Sequence, residues 1–349
     1  MHDFIAIGDI VTDAFIKLQN PAAHIDIDHN VREVCMRFGD KVPYEDVVIV
    51  PAVGNSANAA VAAARLGLKS ALVSNLGNDY FGKECMDALA VEKVDTRYMR
   101  VHPGRKTNYH YVLWYEDDRT ILIKHEDYEY ALPDIDDPKW IYLSSLGEQS
   151  LPFHHVIEEY LWKHPKVKFA FQPGTFQMKL GKDALAGLYR RTDVFFCNKE
   201  EAQRILKIEE SDPKRLLEAM HALGPKIVVI TDGTKGAYAY SPSTIRQAHG
   251  GEQSRTTSSG QNSLSEFWFM PPYPDPKPPY ERTGAGDAFS STFTIALALG
   301  LNVVEALLWA PINSMSVVQQ VGARAGLLNR SQLAEYLTKA PKEYVPRQL

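Results

Sequence analysis

A short run of polar and small residues in the last third of the chain has the composition of an anion-binding turn. Positions 281–287 read Glu-Arg-Thr-Gly-Ala-Gly-Asp, and an apolar helical pattern follows from Ala288 to Leu299. Two glycines let backbone amides approach a ligand, and a helix start leaves amides unpaired and partly positive. Asp287 would stay ionised there and could act as a base, which suits phosphoryl transfer to a hydroxyl. An ordinary turn with an N-capping Asp explains the pattern equally well.

A second glycine-containing segment lies near the N-terminus. Positions 53–67 read VGNSANAAVAAARLG, a small-residue turn followed by an Ala-rich helix. Gly54 would let a polyol approach the backbone, and Asn58 offers a donor and an acceptor to hydroxyl groups. A tightly packed helix without any ligand is the alternative interpretation.

Composition excludes several classes of protein. The chain has 349 residues, a formal net charge of -5 and three scattered cysteines. No basic block could neutralise many phosphates, so we expect no nucleic-acid partner. No Cys/His spacing suits a metal, and the odd cysteine count fits a reducing compartment. The N-terminal apolar run, Phe4 to Ile7, is too short for a membrane span, so we expect no membrane partner and a cytoplasmic location.

Short apolar runs alternate with longer helical patterns, as in βαβ units. The runs that predict buried strands are Phe4–Ile7, Ala71–Ser74, Trp140–Leu143, Val167–Phe171, Val194–Cys197 and Lys226–Ile230. Besides Ala288–Leu299, the patterns that predict helices are Ser56–Leu66, Phe81–Val91, Pro152–Trp162, Lys199–Leu206, Pro213–Leu223, Val303–Val321 and Ser331–Lys339. We therefore predict one α/β domain over residues 1–349, built on a mostly parallel sheet flanked by helices.

Two regions interrupt this alternation and predict a small β-sheet lid over a cleft. They lie within residues 13–50 and 97–124, and the second contains the strand-like runs Tyr109–Tyr115 and Thr120–Lys124. Residues 247–265 are rich in Gly, Ser, Thr and Gln, which predicts a flexible insertion. The proline-rich segment from Pro271 to Pro279 is better explained as a stiff connector than as a partner's ligand.

Together, the two glycine segments resemble the signatures of the ribokinase-like family of carbohydrate kinases, also called the phosphofructokinase B family. That family shows Gly-Gly and an Asn in a helix ending Ala-Arg-Leu-Gly, and later an Asp-Thr-x-Gly-Ala-Gly-Asp run. Three weaker matches lie in the family's order, at Gly8–Asp13, Asn198–Glu201 and Ile230–Gly236. The resemblance spans residues 1 to about 330.

The resemblance implies an ATP-dependent kinase that phosphorylates a hydroxymethyl group of a sugar or nucleoside. Asp287 would take the hydroxyl proton as the oxygen attacks the γ-phosphorus. Backbone amides would stabilise the transferring group in an anion hole, formed by Thr283, Gly284, Ala285 and Gly286. Three residues would bind the acceptor, namely Asp13, Gly54 and Asn58. Asp13 could instead be a simple turn or N-cap residue.

The resemblance also implies ATP and Mg²⁺ binding. Asn198 and Glu201 would act through magnesium and its waters, although a helix N-cap and a first-turn acid explain them too. Thr231, Gly233 and Gly236 would border the triphosphate. Asn313 would lie beside adenine, unless it is a buried polar group of its helix. Some relatives also hold a monovalent cation near the anion run, which this sequence does not assign.

Three positions depart from the family pattern. Val53 replaces a glycine, Glu281 an aspartate and Arg282 a threonine. Arg282 could engage phosphate oxygens bidentately, or it could form a surface salt bridge with Glu281. These changes leave open a catalytically weakened regulator that binds nucleotide or sugar.

The acceptor is the least determined part of this interpretation. Four aromatic residues could stack on a base and favour an adenosine-like nucleoside, or could simply pack in a strand: Tyr109, Tyr111, Trp114 and Tyr115. A phosphorylated sugar would recruit cations such as Arg105, Lys106 or Arg119, and we place an unphosphorylated acceptor first. A nicotinamide-dependent dehydrogenase lacks its Gly-x-Gly-x-x-Gly fingerprint here. Relatives commonly dimerise through the lid, so a homodimer is a further hypothesis.

Overall fold

The computed structural model describes residues 1–20, 22–28, 31–116, 118–242, 265–280 and 282–349. Glu281 lies outside these residues. So does the predicted flexible insertion at 247–265, apart from Ser265, where a strand begins.

The strands match the predicted apolar runs closely. In chain order they are β1 Phe4–Ile7, β2 Val11–Leu18, β3 Ala23–Asp28, β4 Val31–Met36, β5 Tyr44–Val53, β6 Ser70–Gly77, β7 Met99–His102, β8 Tyr109–Tyr115, β9 Asp118–Leu122, β10 Trp140–Leu143, β11 Lys168–Phe171, β12 Val194–Asn198, β13 Ile227–Thr231, β14 Ala237–Pro242, β15 Ser265–Met270 and β16 Arg347–Gln348.

The helices follow the predicted order. They are α1 Asn55–Arg65, α2 Tyr80–Val91, α3 Leu151–Lys163, α4 Thr175–Leu180, α5 Ala186–Arg191, α6 Lys199–Leu206, α7 Pro213–His221, α8 Ala285–Ala298, α9 Val303–Val317 and α10 Arg330–Thr338, with 3₁₀ turns at Glu148–Ser150 and Gly233–Lys235. α9 ends four residues before the predicted Val321, and turns and bends follow it. No helix within the described ranges has the length and hydropathy needed to cross a bilayer.

The main sheet has ten strands in the order β16-β15-β14-β13-β12-β11-β10-β1-β6-β7. The seven strands from β13 to β7 run parallel, and β14 to β16 add an antiparallel edge. The central parallel strands are buried on both faces, which explains their continuous apolar sequences. One hydrophobic cluster packs α1, α8 and α9 on one face, and a second packs α3, α6 and α7 on the other. The predicted mostly parallel α/β fold is confirmed.

A separate four-stranded sheet has the order β5-β2-β8-β9. It draws its strands from the two regions that interrupt the βαβ alternation, with β2 and β8 parallel and the other pairs antiparallel. The hairpin β3–β4 packs on it through a small apolar cluster. β7, although inside the predicted 97–124 region, pairs with β6 in the main sheet. We call the four strands the small sheet.

Candidate active site

Polar residues gather where the parallel strands end, among them the predicted site residues Asn198 and Thr231. Asn198 and Thr231 are the last residues of β12 and β13 and lie opposite each other in register. Gln172 follows β11, and Asp9 lies two residues beyond β1. Because the carboxyl ends of parallel strands share one edge, this edge is where an α/β sheet binds ligands.

The N-terminus of α8 faces the same edge. The helix begins at Ala285, three residues before the predicted Ala288, so Asp287 lies in its first turn. Gly284 caps the helix with φ of 81°, and a Cβ there would come within 2.3 Å of Ala323 Cβ. The first intrahelical bond joins the Ala288 amide to the Gly284 carbonyl at 2.8 Å. The preceding amides therefore have no carbonyl one turn back and can bind an anion.

The Asp287 side chain is partly buried and is surrounded by polar groups. Asn58 Nδ2 donates to Oδ2 at 3.0 Å, and Gln172 Nε2 donates to Oδ1 at 3.1 Å. Burial raises the pKa of Asp287 to about 6, and repulsion from Glu201 adds to the rise, whereas the two hydrogen bonds and Arg119 oppose it. The carboxylate is thus a base that is mostly ionised near neutral pH.

The three predicted acceptor-binding residues lie in β2, at the start of α1 and just before it. Gly54 precedes α1 with φ of 108°, and a Cβ there would lie 2.8 Å from the Asp9 carbonyl oxygen, so only glycine fits. Asn58 lies one turn into α1, and Asp13 lies on β2; both are more than nine-tenths buried. Within the described part of the chain, neither Asp13 Oδ1 nor Asn58 Oδ1 has a hydrogen-bond partner.

Two histidines, one in β8 and one shortly after β9, also lie in this region, and the sequence analysis predicted neither. His110 Nδ1 is 3.4 Å from Asp13 Oδ1, without hydrogen-bond geometry. His125 Nδ1 is 3.2 Å from Asp9 Oδ2, and Tyr130 donates its hydroxyl to the same carboxylate. The two imidazole rings are 5.3 Å apart. Each buried carboxylate therefore faces an imidazole. These carboxylates and imidazoles are far apart in sequence, and strand pairing, such as that of Asp13 in β2 with His110 in β8, brings them together.

A cavity of about 570 Å³ adjoins the start of α8. Its polar end contains Asn198, Thr231, Gly233, Gly236 and Gly286, and its apolar walls include Met270, Pro271, Tyr273, Phe289, Met315 and Val318. A polar end and apolar walls suit the phosphates and the base of a nucleotide. Residues 271–279, which the sequence explained as a connector, contribute part of this wall.

Asn198 and Glu201 form a capping box at the start of α6. Asn198 Oδ1 accepts from the Glu201 amide, and Glu201 Oε2 accepts from the Asn198 amide, both at 2.8 Å. Burial raises the pKa of Glu201, and this carboxylate repels that of Asp287. Within the described ranges, no group of three His, Cys, Asp or Glu side chains could hold a metal.

The position of Asn313 favours the buried-polar alternative over the predicted adenine contact. The side chain is fully buried, donates to Thr292 Oγ1 at 2.8 Å and accepts from the Leu328 amide at 2.9 Å. The residues of the α9 region that line the cavity are Pro311, Ser314, Met315 and Val318, spaced as one helical face. Asn313 points away from that face.

Register also separates the aromatic residues of β8. Asp13 pairs with His110, so Tyr109, Tyr111 and Tyr115 lie on the opposite face of the small sheet from Asp13. Trp114 shares the Asp13 face and packs on Tyr280 with ring centroids 4.9 Å apart. Most of the predicted stacking surface therefore faces away from the cleft.

Comparison with known proteins identifies the family. The family model of pfkB family carbohydrate kinases matches residues 22–330. The chain belongs to this family. The pfkB chain is 26% identical over 292 residues to the ribokinase of Bacillus subtilis, covering 82% of this chain and 87% of that protein. It is 28% identical over 256 residues to the cytidine kinase of Thermococcus kodakarensis, covering 71% and 80%.

Among solved structures, the Arabidopsis thaliana ribokinase complexed with ribose and ATP matches this pfkB protein with a TM-score of 0.74. The sequence identity is 19%, and the match covers 96% of this chain and 98% of that one. The fold is thus ribokinase-like. The protein is a carbohydrate or nucleoside kinase.

The first prediction concerns Asp287 in this pfkB kinase. Asp287→Asn should lower kcat by roughly 10²-fold or more at unchanged ATP affinity, because the side chain can no longer accept a proton. For the unmodified enzyme, kcat/KM should fall as pH drops through about 6, because the carboxylate, whose raised pKa has that value, becomes protonated. Steady-state assays from pH 5 to 9 test both points. Near-normal turnover of Asp287→Asn would contradict the role of base.

Proposed function

We propose that this protein transfers the γ-phosphoryl group of ATP to a hydroxymethyl group of an unphosphorylated sugar, with Asp287 as general base. The observation that carries the proposal is the position of the Asp287 carboxylate. Asn58, from the predicted acceptor region, holds one oxygen, and neighbouring Gly286 lines the nucleotide-sized cavity. One carboxylate therefore adjoins both predicted binding regions.

In the proposed reaction, the acceptor oxygen forms a bond to the γ-phosphorus while its proton passes to Asp287. The bond between the γ-phosphorus and the bridging oxygen breaks, and ADP leaves with that oxygen. The amides of residues 283–286 stabilise the negative charge on the transferring group, aided by the N-terminal end of the α8 dipole. Asn58 and Gln172 hold the base in position.

Magnesium, when bound, would neutralise phosphate charge next to Asn198 and Glu201. The capping box leaves Glu201 Oε1 for metal-bound water, because the described bonds use Oε2. The mutual repulsion between Glu201 and Asp287 supports a cation in this region, because a positive ion would relieve it.

Two atoms of the acceptor region that have no hydrogen-bond partner among the described residues support a neutral, hydroxyl-rich acceptor. Asp13 Oδ1 and Asn58 Oδ1 are buried and can only accept hydrogen bonds, so the ligand must supply donors. Hydroxyl groups do so, whereas an ionised phosphate or carboxylate does not. The outward orientation of Tyr109, Tyr111 and Tyr115 favours a sugar over a nucleoside.

The second prediction concerns this acceptor class. In a panel with ATP, ribose or fructose should be phosphorylated more efficiently than fructose phosphates, adenosine or cytidine. Asp13→Ala should raise the acceptor KM about tenfold or more, because a hydrogen bond to a charged group is lost. Asp46→Ala, an exposed carboxylate on β5, is the matched control and should leave KM unchanged. Higher kcat/KM for adenosine or cytidine would establish a nucleoside kinase instead. No turnover with any acceptor would favour a binding regulator.

The third prediction concerns Arg282, which lines the nucleotide cavity. Its guanidinium also interacts electrostatically with Asp275. Burial raises the pKa of Asp275, and the positive charge of Arg282 partly opposes this rise. We propose that Arg282 contacts an ATP phosphate. Arg282→Ala should then raise the ATP KM about tenfold, with little effect on the acceptor KM. Lys277→Ala, an exposed cation outside this cavity, is the control. If Arg282→Ala has the same ATP KM as the unmodified enzyme, Arg282 does not contact an ATP phosphate.

The fourth prediction concerns association through the small sheet. Ile49, Ala14, Tyr111 and Leu122 form one row across its outer face, and Ile49, Tyr111 and Leu122 are each about half exposed. We propose that this row forms a homodimer interface, because a dimer would bury it. Light scattering should give twice the chain mass for the protein and the monomer mass for Ile49→Lys. Val156→Lys, an exposed α3 residue, should remain dimeric. A monomeric unmodified protein would exclude the interface.

A further inference from the structure

The amide of Gln172 connects the Asp287 carboxylate to two buried hydroxyl groups. Its Nε2 donates to Asp287 Oδ1 at 3.1 Å. At the other end of the amide, Oε1 accepts from the Tyr142 hydroxyl and lies 2.9 Å from Ser290 Oγ. Tyr142 and Ser290 are themselves hydrogen-bonded at 2.9 Å, and both are buried. The network joins α8 to β10 and to the end of β11.

The ionised Asp287 carboxylate and the Tyr142 hydroxyl together determine which way this amide points. With Nε2 toward the carboxylate, both ends of the amide have suitable partners. The reversed amide would place its oxygen against the carboxylate oxygens, which is repulsive while Asp287 is ionised. Burial raises the pKa of Tyr142 well above its ordinary value, so its hydroxyl remains a donor to Oε1. The tyrosine thus holds the amide in the orientation that suits an ionised base.

We propose that Gln172 is a positioning residue that orients the Asp287 carboxylate and favours its ionised form. This inference rests on the proposed role of Asp287 as general base. Gln172 need not touch either substrate, since it acts through Asp287. The other ionisable groups that act on this carboxylate are Glu201 from α6, Arg119 from β9 and Tyr142 from β10. All three are retained when only Gln172 is changed.

The test compares the pH dependence of kcat/KM for the acceptor in the full-length enzyme and in Gln172→Leu. Leucine has a similar size but no donor, so protonated Asp287 becomes more favoured. The acid limb of this profile, where kcat/KM falls as the pH is lowered, should move to higher pH by about one unit. This is the scale of one lost charge-assisted hydrogen bond. Thr294→Val is the matched control, because Thr294 is buried on α8 and bonds only to the Ser290 carbonyl among the described contacts. Its acid limb should coincide with that of the unmodified enzyme.

A second variant keeps the inference testable if Gln172→Leu does not fold, as judged by circular dichroism and thermal unfolding. Gln172→Met also removes the amide donor and keeps an unbranched side chain of similar length, so its acid limb should also move up. A folded Gln172 variant with an unshifted limb overturns the inference. Asp287→Asn separates this failure from that of the proposed function. If Asp287→Asn is inactive, the role of Asp287 as base is supported and only the role of Gln172 is wrong. If Asp287→Asn remains active, the role of Asp287 as base is itself wrong.

Discussion

The site depends on keeping one carboxylate ionised inside the protein, where burial alone favours its protonated form. Three groups from separate elements oppose that tendency at Asp287: the Asn58 amide from α1, the Gln172 amide after β11 and the Arg119 guanidinium of β9. The balance leaves its pKa at about 6, high enough for the carboxylate to take a proton and low enough for it to be ionised at neutral pH. Asn58 and Gln172 contact this carboxylate directly, and the neighbouring residue Gly286 lines the cavity next to it.

The two proposed substrate regions beside Asp287 differ in chemistry because different parts of the fold build them. The small sheet and the start of α1 supply buried carboxylates, imidazoles and an amide oxygen, which suit hydroxyl donors. The ends of β12 and β13 supply a polar floor, and the segment after β15 joins α8 and α9 in an apolar wall.

Local patterns predicted the elements well. β1, β10 and α6 have the bounds that the sequence indicates, because a continuous apolar run or a capping box specifies each of them within a few residues. The backbone turns at Gly54 and Gly284 were predictable for a similar reason, because each is formed by a few consecutive residues, and both glycines have positive φ. The start of α8 was misplaced by three residues because Ala285 and Gly286 look like turn residues in isolation.

Pairings between distant segments could not be predicted from one sequence. Gln172 reaches Asp287 across 115 positions, and His125 reaches Asp9 across 116. Neither pair has a local motif, so only the strand order brings them together. Asn313 and the β8 tyrosines illustrate a related difficulty. Their sequence positions suit a ligand, whereas helical phase and strand register, which depend on the rest of the fold, point them elsewhere.

The most direct test of this account is a ¹³C NMR titration of the Asp287 side-chain carboxyl, assigned by its absence from the spectrum of Asp287→Asn. The account predicts a midpoint near pH 6, with the carboxylate ionised at pH 7.5. A midpoint at or below about 4, the ordinary range for Asp, would show that the base with a raised pKa described here does not exist.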